Sequence, residues 1–66
     1  MTFEEALSAM KDGKKVTYGS KEYKFSLDVE NGLFCQEPID EPKNFFRSKI
    51  VLVDLLLRDD WEIYHK

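Results

Sequence analysis

An α+β fold, one N-terminal helix packed on a small antiparallel sheet, is predicted by three features of this 66-residue chain. Its first residues carry a helical apolar period. The stretch "KKVTYGSKEYKFSLDVENGLFCQE" changes to a twofold period and is punctuated by two turn dipeptides. An apolar run then ends in "WEIYHK", which alternates again. The expected sheet is a three-stranded meander plus a C-terminal strand, with a short helical turn before that last strand. Residues 1–66 make a single domain, near the lower limit of what folds unaided.

The helix comes first. Thr2-Phe3-Glu4-Glu5 has the form of a capping box, in which Thr2 caps the first turn and Glu5 reaches back to its backbone. Phe3, Ala6, Leu7 and Met10 fall at i, i+3, i+4 and i+7, one helical face. Gly13 suits a left-handed helix end, and Lys11 sits favourably in the last turn. A helix over residues 3–12 follows.

The meander is next. Tyr23, Phe25, Leu27 and Val29 alternate with Glu22, Lys24, Ser26 and Asp28, the mark of a half-buried strand. Gly19-Ser20 and Asn31-Gly32 bracket it, and both suit two-residue hairpin turns. A turn at Gly19-Ser20 sets Val16 opposite Tyr23 and Tyr18 opposite Lys21. One at Asn31-Gly32 sets Val29 opposite Phe34. Both registers gather Val16, Tyr18, Tyr23, Phe25, Leu27, Val29 and Phe34 on one face, to be covered by the helix. The other face receives Lys15, Thr17, Glu22, Lys24, Ser26 and Asp28, with Leu33 and Cys35 as apolar exceptions.

"EPIDEPKN" holds Pro38 and Pro42 and reads as a surface loop. In "FFRSKIVLVDLLLRDD", Ile50, Val51 and Val53 favour strand while Leu55, Leu56 and Leu57 favour helix. The reading is a short strand near 46–51, a helical turn or two near 53–58, and a closing strand in "WEIYHK".

Composition narrows the chemistry. Cys35 is the only cysteine, so no intrachain disulfide is possible and its expected role is buried filler. His65 is the only histidine, and no Cys/His spacing resembles a zinc site. Cys35 has no plausible histidine base, since His65 lies at a terminus. The carboxylate pairs Glu4/Glu5, Asp40/Glu41 and Asp59/Asp60 are too abundant to single one out; the cap explains Glu4/Glu5, and Asp59/Asp60 ends the helix before Trp61. No catalytic residue, metal ligand or cofactor is assigned, and the chain is read as a non-enzyme. The net charge of −3 makes nucleic acid an unfavoured partner. No stretch has the length of a membrane helix or the layout of a signal peptide, so a soluble, cytoplasmic protein is expected. A core this small favours support from self-association, so a homo-oligomer is expected. Trp61 is either a core anchor or a ring on which a base could stack. Tyr18, Tyr23 and Tyr64 could stack likewise, while Lys14, Lys15, Lys24 and Arg47 could meet phosphates.

Two segments, "TFEEALSAMKDGKKV" and "DLLLRDDWEI", resemble the two ends of the Thoeris anti-defence 2 family. Those small phage and prophage proteins open with an "F-EAL-x-x-(L/M)-K-x-G-K-x-V" helix and strand and finish with a "DLLA-x-DWE" turn and strand. The resemblance implies a phage-derived homo-oligomer in the host cytoplasm. It would sequester a cyclic nucleotide or cyclic ADP-ribose-type immune signal between subunits, without chemistry on the ligand. The family continues after its first strand with a basic pair and Gly-Trp-Asn near the ligand, where this chain has "VTYGSKEY", and its middle portion is longer. Lys14, Lys15, Tyr18, Tyr23, Lys24, Arg47 and Trp61 are the candidate ligand-binding residues. The alternative is an inhibitor or adaptor acting by contact with a host protein. The net charge, the "EPIDEP" loop and the surplus apolar residues Leu33, Ile39 and Phe46 support it. A structural oligomer without a ligand is the third reading.

Overall fold

A computed structural model describes residues 1–19, 22–40 and 46–65. In chain order the elements are α1 (Phe3–Lys11), β1 (Val16–Thr17), β2 (Tyr23–Asp28), β3 (Leu33–Pro38), β4 (Phe46–Ser48), α2 (Val53–Leu57) and β5 (Glu62–Ile63). The strands form one antiparallel sheet in the order β4-β3-β2-β1-β5. The fold is therefore α+β, a helix on a five-stranded sheet with a short second helix before the last strand.

Helix α1 begins and ends as its sequence dictates. The Glu5 N–H donates to Thr2 Oγ1 while the Glu5 carboxylate accepts from the Thr2 N–H at 2.9 Å, a complete capping box. At the other end Gly13 takes φ +88, and the N–H groups of Gly13 and Lys14 donate to the carbonyls of Met10 and Ala9. This double closure satisfies carbonyls that the helix end would otherwise orphan.

Both hairpin registers differ from expectation, each by two residues. Val16 pairs with Phe25, not Tyr23, and Leu27, not Val29, pairs with Phe34. Side-chain hydrogen bonds explain the longer loops. Thr17 Oγ1 donates to the Tyr23 carbonyl at 2.7 Å, and the Gly19 N–H turns away to Asp60 Oδ2 at 3.3 Å. At the second hairpin Asp28 accepts from both the backbone and the side chain of Asn31, closing a four-residue loop over 29–32 with Gly32 at φ +67. A shift of two preserves which face each side chain occupies, so the apolar face survives without Val29, which is exposed. Ser20 and Lys21, in the expected first turn, lie outside the described residues.

Glu37 and Pro38 correct a second expectation, since they belong to β3 and not to a loop. The Ile39 N–H donates to Glu22 at 3.0 Å, so position 38 presents its missing N–H on the side away from β2. There β4 pairs no further along β3 than Gln36, so among the described residues Pro38 removes no ladder bond. Residues 41–45 of the expected loop lie outside the described residues. The strands expected near 46–51 and in "WEIYHK" are shorter than anticipated, at three and two residues.

The core comprises Ala6 and Met10 of α1, Val16, Phe25 and Phe34 of the sheet, Leu55 of α2, and Trp61. Phe25 stacks on Phe34 and meets Trp61 edge-on, both at 5.3 Å between centroids. Trp61 Nε1 donates to the Leu55 carbonyl at 3.3 Å, so one side chain both fills the core and caps α2. The chain ends meet at this residue: Met1 donates to the Trp61 carbonyl at 2.8 Å, and the Trp61 N–H donates back to Met1.

Candidate functional site

Helix α1 packs against β1, β2, β5 and α2. The β3–β4 end of the same sheet face is reached from α1 by Phe3, whose ring is tilted against Phe34 at 6.3 Å. What lies beyond the helix is apolar. Phe46 and Ser48 stand opposite Gln36 and Phe34, and Ser48 Oγ then accepts the Ile50 N–H at 3.0 Å, turning the chain out of the strand. Ile50 and Leu52 follow in extended chain and lead into α2, whose five residues bury only Leu55.

The result is a cavity of about 260 Å³ lined by Phe34, Gln36, Phe46, Ser48, Ile50, Leu52 and Leu55. Its lining residues Phe46, Ile50 and Leu52, and Val53, Leu56 and Leu57 along α2, are between 45% and 78% exposed. Leu56 and Leu57 line a separate, larger and more open hollow beside Thr2 and Phe3. Apolar surface concentrated in one stretch of a small domain marks a contact site. Among the surplus apolar residues in the sequence, Phe46 belongs here, while Leu33 and Ile39 are half-buried elsewhere.

The seven sequence-predicted ligand residues do not converge. Lys15 and Lys24 lie on the sheet face opposite α1, where both approach Glu37 Oε1, at 3.6 and 3.3 Å. Lys24 Nζ also stands over the Tyr64 ring at 5.1 Å. Tyr64, one of the rings that the sequence offered for stacking, thus joins this cluster, and Glu37 is the member that the sequence reading missed; only the twofold period carried through Glu37, opposite Lys24, could have shown it. Arg47 sits further across the same face, opposite Cys35. Cys35 is buried there, as filler. Lys14 is exposed between α1 and β1.

Tyr18, Tyr23 and Trp61 belong to the other face. Trp61 is 2% exposed, so its core role is realised and its ring offers no stacking surface within this chain. Tyr18 stacks on Phe25 at 5.6 Å, meets Trp61 edge-on at 5.3 Å, and carries the Arg58 guanidinium over its ring at 4.0 Å. Tyr23 is half-buried against the core. The alternation that makes a good sheet also separates these rings from the lysines.

Asp60 closes the Tyr18 corner. It accepts two hydrogen bonds from Arg58, both at 2.8 Å, and one from the Gly19 N–H. The Arg58 bonds foremost hold its carboxyl at about 2, below the ordinary 3.8. A depressed carboxyl adds stability that is present above the unfolded value and is lost as pH falls through the folded one. Between pH of about 4 and about 2 the urea midpoint should therefore fall less steeply in Asp60→Asn than in wild type. Identical slopes would mean that the clasp adds nothing to folding.

Among the described residues, no three His, Cys, Asp or Glu side chains gather as a metal site, and no helix is long and apolar enough to cross a membrane. No family model, curated protein or solved structure matches the chain.

Proposed function

We propose that this chain is a binding protein without catalytic activity, and that it acts by protein–protein contact through the apolar surface built by β4, residues 50–52 and α2. The observation that carries this reading is the exposure of Phe46, Ile50 and Leu52 on one cavity, with Val53, Leu56 and Leu57 exposed on the α2 helix that follows. The test is a paired capture from the cell that carries the gene. Wild type should retain a defined partner that the double variant Ile50→Asp/Leu52→Asp loses, while far-UV circular dichroism and Tm stay unchanged, because both side chains are exposed. Lys14→Glu, on another surface, should retain the partner. Equal retention by wild type and the double variant counts against the reading.

A second reading is sequestration of a cyclic nucleotide or cyclic ADP-ribose-type signal by a phage-derived homo-oligomer in the host cytoplasm. Besides the end segments, Lys15, Lys24 and Tyr64 support it, two ammonium groups beside Glu37 on an open sheet face, one of them over the Tyr64 ring. Native mass spectrometry with a panel of such ligands tests it. An oligomer that retains a defined nucleotide mass, and loses it in Lys15→Ala, would support the sponge. A protein that retains none would exclude the ligands tried. Tyr18→Ala is a poor probe, since Tyr18 packs between Phe25, Trp61 and Arg58.

A further inference from the structure

We infer that the occupant of the apolar surface is an extended partner segment that adds to the outer edge of β4 and alternates apolar with acidic side chains. The inference rests on the protein-contact reading above and specifies how that contact is made.

The sheet order leaves β4 at an edge, and among the described residues no strand pairs with its outer side. Such an edge presents backbone N–H and C=O groups ready to accept a strand. The side chains of β4 alternate. Phe46 and Ser48 face the cavity, and Arg47, opposite Cys35, faces the other way. A strand laid on this edge would obey the same alternation. Every second side chain would extend the cavity wall beside Phe46 and Ile50, where an apolar group is favoured. The side chains between would stand beside Arg47, with exposed Lys49 next along the chain, where a carboxylate is favoured. Asp28 already lies within the field of Arg47, which has contacts within the chain; what Arg47 brings to the edge is its positive charge, shared with Lys49.

The same charges disfavour a second copy of this chain on this edge. A twofold pairing centred on Arg47, the middle of the strand, sets Arg47 against its own copy. Like charges directly opposite one another destabilise a ladder, and cations on an edge strand are a common guard against self-pairing. An amphipathic helix could fill the cavity, but it would leave the edge groups of β4 uncovered.

The test uses the full chain, isotopically labelled, with two capped heptapeptides: one alternating glutamate with valine, the other lysine with valine. The glutamate peptide should shift the amides of residues 46–48 and slow the exchange of the Arg47 N–H, since Phe46 and Ser48 already turn theirs toward β3. It should bind at least about tenfold more tightly than the lysine peptide, and weaken as salt rises. Arg47→Glu and, independently, Lys49→Glu should reduce or reverse that preference. Equal affinity for both peptides, or an unprotected Arg47 amide, would overturn the inference. A helical acidic peptide that perturbs Ile50 and Leu52 but leaves the Arg47 amide unprotected would overturn strand addition and leave the protein-contact reading standing. That reading fails separately, by equal retention in the capture experiment.

Discussion

Trp61→Ala should leave the domain without a cooperative urea transition at room temperature. Truncating a buried tryptophan typically costs about 3–5 kcal/mol, and a single core of this size rarely supplies more than about 3–5 kcal/mol net. The loss here has two parts. The ring fills the space between Phe3, Tyr18 and Phe25. Its Nε1 holds the Leu55 carbonyl, and so the end of α2. The pairing with Met1 uses main-chain groups that alanine keeps, so it is no part of the loss. Trp61→Phe keeps the packing and the backbone pairing while losing the indole donor, so it should fold with a lowered midpoint. As the only tryptophan, it also reports on itself: wild-type emission should be blue-shifted and resist acrylamide quenching. A cooperative Trp61→Ala with a midpoint near wild type would mean that the core is not built around this ring.

Much of the fold was legible because local signals agreed with each other. The capping box, the i, i+3, i+4, i+7 stripe and Gly13 all specify one helix, and each is local in sequence. The sheet face was legible too, since an error of two residues in register leaves the face unchanged. The register of the first hairpin was less legible because Asp60, 41 positions from Gly19, takes the N–H that a tight turn would use. No local pattern announces a partner at that distance. Pro38 misled for a related reason: whether a proline breaks a strand depends on which side its missing N–H faces and where the neighbouring strand stops. The candidate site was least legible. Its residue types were visible, but aromatic rings and lysines that alternate along one strand must face opposite ways. The surface that emerged at 46–57 came from where α1 stops covering the sheet, which depends on packing.

Glu37 offers the second large effect, and its sign depends on how the substitution is made. Glu37 is 8% exposed and lies opposite Lys24, whose side chain is itself 14% exposed. Removing the carboxylate alone strands an ammonium that is almost out of water. Breaking a fully buried pair costs about 3–5 kcal/mol, while an exposed pair is worth about 0–1 kcal/mol. This pair is nearly buried, but Lys15, at 46% exposure, keeps one end of the cluster in contact with solvent. Glu37→Ala should therefore cost about 1–3 kcal/mol, read from urea unfolding followed by circular dichroism. Lys24→Met alone removes one of two cations from Glu37 and should cost less, because Lys15 still faces the carboxylate. The double variant Lys24→Met/Glu37→Leu removes both desolvated charges and sets two apolar side chains opposite each other beside Cys35. Its stability should return to near that of wild type or exceed it, since replacing a buried pair by apolar groups is often neutral or stabilising. If the double variant instead falls by the sum of the single losses, the two residues act independently. The pair would then have to be treated as a solvated surface contact and not as the polar centre of the open sheet face.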